Sequence, residues 1–162
     1  MIRTTVEFKR EGEVHTPLNL YAAAWDECVE LGVMDKLAWV LRVGRIVQNT
    51  PRFEVLVYDD ELCVGGVVIA EDDDLHVGHC LSVMFNYVLP EYRCTGITAQ
   101  TMRALRRIAE NLQVPTIAYT HRVGAGKYTT TYKEAPWVRQ SARCLEVATK
   151  PPRKQQRLKP EQ

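Results

Sequence analysis

The run Arg93-Cys94-Thr95-Gly96-Ile97-Thr98 places a guanidinium, two threonine hydroxyls and a glycine where an apolar stretch, LSVMFNYVL (81–89), gives way to an amphipathic one. At such a strand-to-helix junction the first helical amides lack a carbonyl partner within the helix, and the helix dipole adds partial positive charge. An anion binds there. Arg93 can clamp a phosphate, Gly96 lets the backbone come close, and Thr95 and Thr98 offer hydroxyls, so the set makes a phosphate or pyrophosphate cradle that needs no metal. A plain capped helix with a solvated arginine satisfies the same local pattern.

Other candidate chemistry is thinner. LHVGHC brings His76, His79 and Cys80 together, but no second cluster completes four ligands at standard spacing, so no metal is expected. GAGK (124–127) lacks a Ser or Thr after Lys127, and His121 stands where a nucleotide-hydrolysing loop needs its first glycine. His121 ends the apolar run VPTIAYTH, and an unperturbed imidazole titrates where proton transfer is useful. Glu71 follows the stretch 64–70 and opens an acidic run, 71–74, read as a solvated turn or as an attractor for a cationic substrate. For both groups the ordinary role, a satisfied surface or semi-buried histidine and a solvated acidic turn, is favoured over the catalytic one. Cys94, beside a helix start, is read as an ordinary loop cysteine despite its position.

The elements that must position these residues follow from periodicity. TTVEFKR alternates like a half-buried strand. A helix is expected next, capped by Thr16 with Pro17 in its first turn, with Leu20, Ala24, Cys28 and Leu31 on one face and Gly32 at its end. A second helix is expected over 35–47, with Leu37, Val40, Leu41 and Val47 apolar. FEVLVYDDELCVGGVVIAEDD reads as two strands joined at Asp59-Asp60, and 81–89 as a third strand, apolar enough to be central. Ile97, Thr101, Leu105, Ile108 and Leu112 then share a helical face opposite Arg103, Arg106, Arg107 and Glu110. VPTIAYTH is a strand, WVRQSARCLEVAT a closing strand, and GAGKYTTTYKEAP between them a loop or short distorted helix. This order describes a mixed α/β layer protein.

A chain of 162 residues, 46% hydrophobic, has material for one core, and its net charge of +1 gives no nucleic-acid signal. Residues 1–149 are expected to form one domain. Residues 150–162 (KPPRKQQRLKPEQ) carry five basic residues against Glu161 and three prolines, and read as a basic tail open to a protein partner. Five scattered cysteines suit a reducing compartment. No apolar stretch nears the roughly 18 residues that span a bilayer, so a soluble, cytoplasmic protein with no membrane partner is expected.

The run VLPEYRCTGIT (88–98) with its following helix resembles the acetyl-CoA-binding motif of the GNAT N-acetyltransferase superfamily, [QR]-x-x-G-x-[GA]. Element order is similar over residues 3–148. The resemblance implies a GNAT-like α/β fold: a mostly antiparallel sheet of six to seven strands with helices on both faces. It implies that Arg93, Cys94, Thr95, Gly96, Ile97 and Thr98 take the pyrophosphate of acetyl-CoA, and that Phe85, Tyr87 and Val88 lie along the pantetheine arm. Thr98 departs from the motif, where Gly or Ala is usual, and Cys94 and Thr95 replace the usual glycine and basic residue.

By the same resemblance, Tyr132 and Tyr128 are placed to protonate the leaving thiolate, and Glu71 and His121 to take the proton of the attacking amine. The activity implied is acetyl transfer from acetyl-CoA to a primary amine by direct attack. A second reading stays open: a GNAT-like fold kept as a binding or structural module, similar to small GNAT-like proteins carried by some tailed bacteriophages, some of them virion-associated. Oligomeric state, a homo-oligomer included, is open on either reading.

Overall fold

The computed structural model describes residues 1–14, 17–28, 34–135 and 138. Its six strands form one sheet in chain order: β1 (Ile2–Lys9), β2 (Arg52–Asp59), β3 (Leu62–Asp74), β4 (Gly78–Val88), β5 (Thr116–Gly124) and β6 (Lys127–Glu134). All neighbours run antiparallel except β4 and β5. That single parallel pair requires a crossover, which helix α3 (Ile97–Asn111) supplies.

The strand period of two sorts the core into two layers. Val55 and Val67 pack with Leu105, Ile108 and Ala109 of α3. Leu56 and Val68, their neighbours in sequence, point the other way, onto Leu20 and Tyr21 of α1 (Leu18–Glu27) and Val40 and Val47 of α2 (Lys36–Gln48). The sheet is therefore covered by helices on both faces, a mixed α/β architecture.

Several expectations shift. Helix α1 ends at Glu27, short of Leu31, while Thr16 and Gly32 lie outside the described residues. Helix α2 starts where expected because the Asp35 carboxylate accepts from the Ala38 amide at 3.0 Å. It rotates, however, so that Val40 and Val47 are buried while Leu37 and Leu41 face solvent. The turn after β2 is Asp60-Glu61, one residue later than read, since Asp59 still pairs with Leu62. Residues 71–74 are not a turn: β3 runs through Asp74, and these acids pair with residues 78–81 of β4. In α3, Ala109 joins the buried face and Leu112 only caps the helix at the surface.

The largest correction concerns GAGKYTTTYKEAP. Residues 127–134 form β6, paired along β5 from Tyr128 opposite Arg122 to Glu134 opposite Thr116. β-Branched threonines and tyrosines favour a pleated strand over a loop. Of the expected closing strand and the basic tail, only Val138 lies among the described residues, and it packs against the α3 layer.

Gly66 is needed for strand contact rather than for backbone freedom. A Cβ there would stand 2.9 Å from the Val55 carbonyl oxygen and 2.7 Å from Leu56 Cδ2. Gly66→Ala is expected to lower unfolding free energy by about 1–3 kcal/mol, seen as a lower denaturant midpoint with an unchanged slope.

Candidate functional site

The parallel ladder between β4 and β5 is short. It runs from Cys80 opposite Thr116 to Val83 opposite Tyr119, after which 84–88 and 120–124 continue without pairing. The departure coincides with a bulge: Phe85 pairs with Val68 and Val83 with Ile69, leaving Met84 out of register. An extra residue bends and twists its strand, turning β4 away from β5. One edge of β4 is thereby left open for an extended ligand.

The wedge between the strands opens toward α3 as a cavity of about 270 Å³. Val83 and Asn86 line it from β4, Tyr119, Thr120 and His121 from β5, Lys133 from β6, and Thr98, Thr101 and Met102 from α3. The α3 N-terminus stands at its mouth. A short 3-10 turn, Pro90–Tyr92, reverses the chain after β4, and Thr95 Oγ1 fastens the loop by donating to the Tyr92 carbonyl. Cys94 (φ 65°) and Gly96 (φ 87°) both adopt left-handed conformations, which turn the loop sharply before the helix.

Among the described residues no acceptor meets the amides of residues 94–99, whereas the Arg93 amide donates to Pro90 and the Gln100 amide to Gly96. Six consecutive open donors at a helix start are an arrangement that can hold an anion. The Thr98 side chain is exposed at the edge of this site and leaves the amides open.

Arg93 is not turned toward these amides. Its Nη1 donates to Glu27 Oε1 at 2.8 Å, its Nη2 to Glu27 Oε2, and its Nε to the Val88 carbonyl at 3.1 Å. Tyr87 Oη also donates to Glu27, at 2.7 Å. Arg93, and then Tyr87, hold the Glu27 carboxyl down at about 2, while burial and Glu27 push the Tyr87 phenol up.

A model of the acetyltransferase (GNAT) family matches residues 17–127, from the start of α1 to the start of β6. The chain belongs to the GNAT acetyltransferase family. The sequence matches no curated protein. The aminoglycoside acetyltransferase AAC(6')-Iy, solved with a bisubstrate analogue, CoA-S-monomethyl-acetylneamine, superposes with a TM-score of 0.53 at 13% identity, over 99% of each chain. A possible acetyltransferase from Clostridium difficile 630 gives 0.54 at 13%, covering 88% of this chain and 89% of its own. AAC(6')-IG from Acinetobacter haemolyticus gives 0.52 at 10%, covering 97% and 98%. At such identities the likeness is one of fold.

Within this GNAT fold the residues expected to carry chemistry fall in different places. His121 lines the cleft. Tyr132 lies on the opposite face from Lys133, its hydroxyl donating to Asp74 Oδ2 at 3.1 Å and its ring 6.3 Å from that of His76. Burial and then the Asp74 bond raise its pKa. Tyr128 is exposed at the far end of β6, opposite Arg122. Both tyrosines stand on strand β6. Glu71 is half-exposed and sits 3.2 Å from His79 Nε2, away from the cavity lining. Phe85 packs on Tyr21, ring centroids 4.3 Å apart, so from Phe85, Tyr87 and Val88 it is the main chain that faces the open edge.

Sequence reasoning missed Asn86, Thr120 and Glu27. Asn86 left a trace, the one amide in an otherwise apolar run. Glu27 left none, because its partner lies 66 residues away.

Proposed function

We propose that this GNAT protein transfers an acetyl group from acetyl-CoA to a primary amine. The observation that carries the reading is the wedge between β4 and β5 ending at six open amides. The amides of residues 94–99 would take the pyrophosphate. The edge of residues 84–87, before the Val88 carbonyl that Arg93 occupies, would pair with the amide groups of the pantetheine arm, and the thioester would then lie near the bulge at Met84. Acetyl-CoA supplies the activated carbonyl.

The amine nitrogen, once deprotonated, forms a bond to the thioester carbon, and the carbon–sulfur bond breaks to release the CoA thiolate. Holding both reactants in the wedge lowers the entropic part of the barrier. His121, the imidazole on the cleft wall, is the group proposed to take the ammonium proton. An acid role is not assigned to Tyr132, whose hydroxyl is bound to Asp74. Two of the structural neighbours are AAC(6') acetyltransferases, one named for an aminoglycoside antibiotic and one solved with an acetylneamine bisubstrate analogue, which agrees with an amine acceptor as a class.

Calorimetric titration with acetyl-CoA tests the reading. Saturable binding with Kd below about 1 mM is expected, accompanied by amine-dependent thiol release. No heat at millimolar cofactor would leave the fold without the activity, as a binding or structural module.

A further inference from the structure

Arg93 immediately precedes the open amides, where a guanidinium would reach an anion bound to them, yet three of its five N–H donors are engaged. Two go to the carboxylate of Glu27, the last residue of α1, and one to the Val88 carbonyl. Its guanidinium also lies 5.5 Å from the centre of the Tyr87 ring. A carboxylate and a phosphoryl group present a guanidinium with the same two-oxygen fork. Glu27 thus meets Arg93 through the geometry a phosphate would use. The pair is reachable: the Arg93 and Glu27 side chains are 43% and 42% exposed.

We propose that Glu27 is a built-in competitor for Arg93, holding its guanidinium in the free protein and yielding it to a diphosphate bound at the amides of residues 94–99. Identifying that diphosphate as part of acetyl-CoA rests on the reading above; the exchange itself requires only an anion. Two effects act in the same direction. Glu27 occupies the cation that an anion would use, and its own charge opposes an anion nearby. Mild acid does not open the pair, because Arg93 and then Tyr87 hold the carboxyl well below the usual carboxylate range. A competing anion does, since a half-exposed ion pair is only weakly favourable.

The test compares acetyl-CoA and, separately, inorganic pyrophosphate binding to the wild type, Glu27→Gln, Arg93→Ala and the double variant at low ionic strength. Glu27→Gln is expected to bind each probe roughly threefold to fivefold more tightly than the wild type. The gain vanishes when Arg93→Ala is present and shrinks in high salt. Glu27→Ala gives the same ordering, which guards against a fault peculiar to glutamine. Equal or weaker binding by both Glu27 variants overturns the exchange, and so does a gain that persists without Arg93. Pyrophosphate binding without acetyl-CoA binding removes the acetyl-transfer reading while the pyrophosphate ratio still decides the exchange. Binding of neither probe to any variant removes both.

Discussion

Glu54→Ala is expected to cost the fold about 3–5 kcal/mol, enough to leave a protein of this size mostly unfolded in mild denaturant. Arg52 and Glu54 lie two residues apart on β2, with side chains 0% and 1% exposed. Arg52 Nε donates to Glu54 Oε1 at 2.6 Å and Nη2 to the Glu13 carbonyl at 2.9 Å, while Nη1 reaches the Gln48 and Thr50 carbonyls at 3.5 and 3.4 Å. The guanidinium thus ties the end of α2 and the segment after β1 to the sheet. Among the described residues, removing the carboxylate leaves a buried cation facing neutral carbonyls, and that uncompensated charge sets the magnitude. The double replacement Arg52→Met with Glu54→Leu should be less destabilising than Glu54→Ala alone, because it leaves no buried cation without its carboxylate while keeping apolar volume. Urea melts of the three proteins check this. A Glu54→Ala loss below about 1 kcal/mol, the scale of an exposed pair, would mean that water reaches Arg52.

This buried pair shows where the sequence ceases to be legible. In RFEVLVYD the charged residues alternate with apolar ones, which is how a strand with one wet face reads. Only the packing of α1 and α2 on that face makes it dry, and no local pattern reports such packing. Helix α3 could be read because its own apolar spacing names its buried face, and the anion junction because loop, glycine and helix start are contiguous. Strand β6 carries its signal in the Tyr and Thr residues of KYTTTYKE, strong strand formers that the flanking GAG and its poor helix formers disguise as a loop. The cleft itself depends on a bulge at Met84 and on the point at which β5 leaves β4, neither of which has a residue signature. Glu27 illustrates the same limit in the site: it was invisible as a partner of Arg93 because the fold alone brings the end of α1 beside the end of β4.

Thr98→Glu is expected to weaken acetyl-CoA binding roughly a hundredfold, or about 2–3 kcal/mol, the worth of hydrogen bonds to a charged group. Thr98 is the second residue of α3 and its side chain is exposed, so a larger one is accommodated without repacking. A carboxylate in the first turn of a helix complements the dipole, and the variant should melt at or slightly above the wild-type temperature. Those same amides and that same dipole are what the diphosphate is proposed to use. The new carboxylate therefore takes the donors and repels the ligand, trading a stable helix for a blocked site. Thr98→Gln, similar in size and uncharged, separates the two contributions: it should lose no more than about tenfold if charge dominates. Calorimetry on both variants beside thermal melts decides the matter. Wild-type affinity in Thr98→Glu would place the diphosphate away from α3, and equal losses in Glu and Gln would assign the effect to bulk at the cleft mouth.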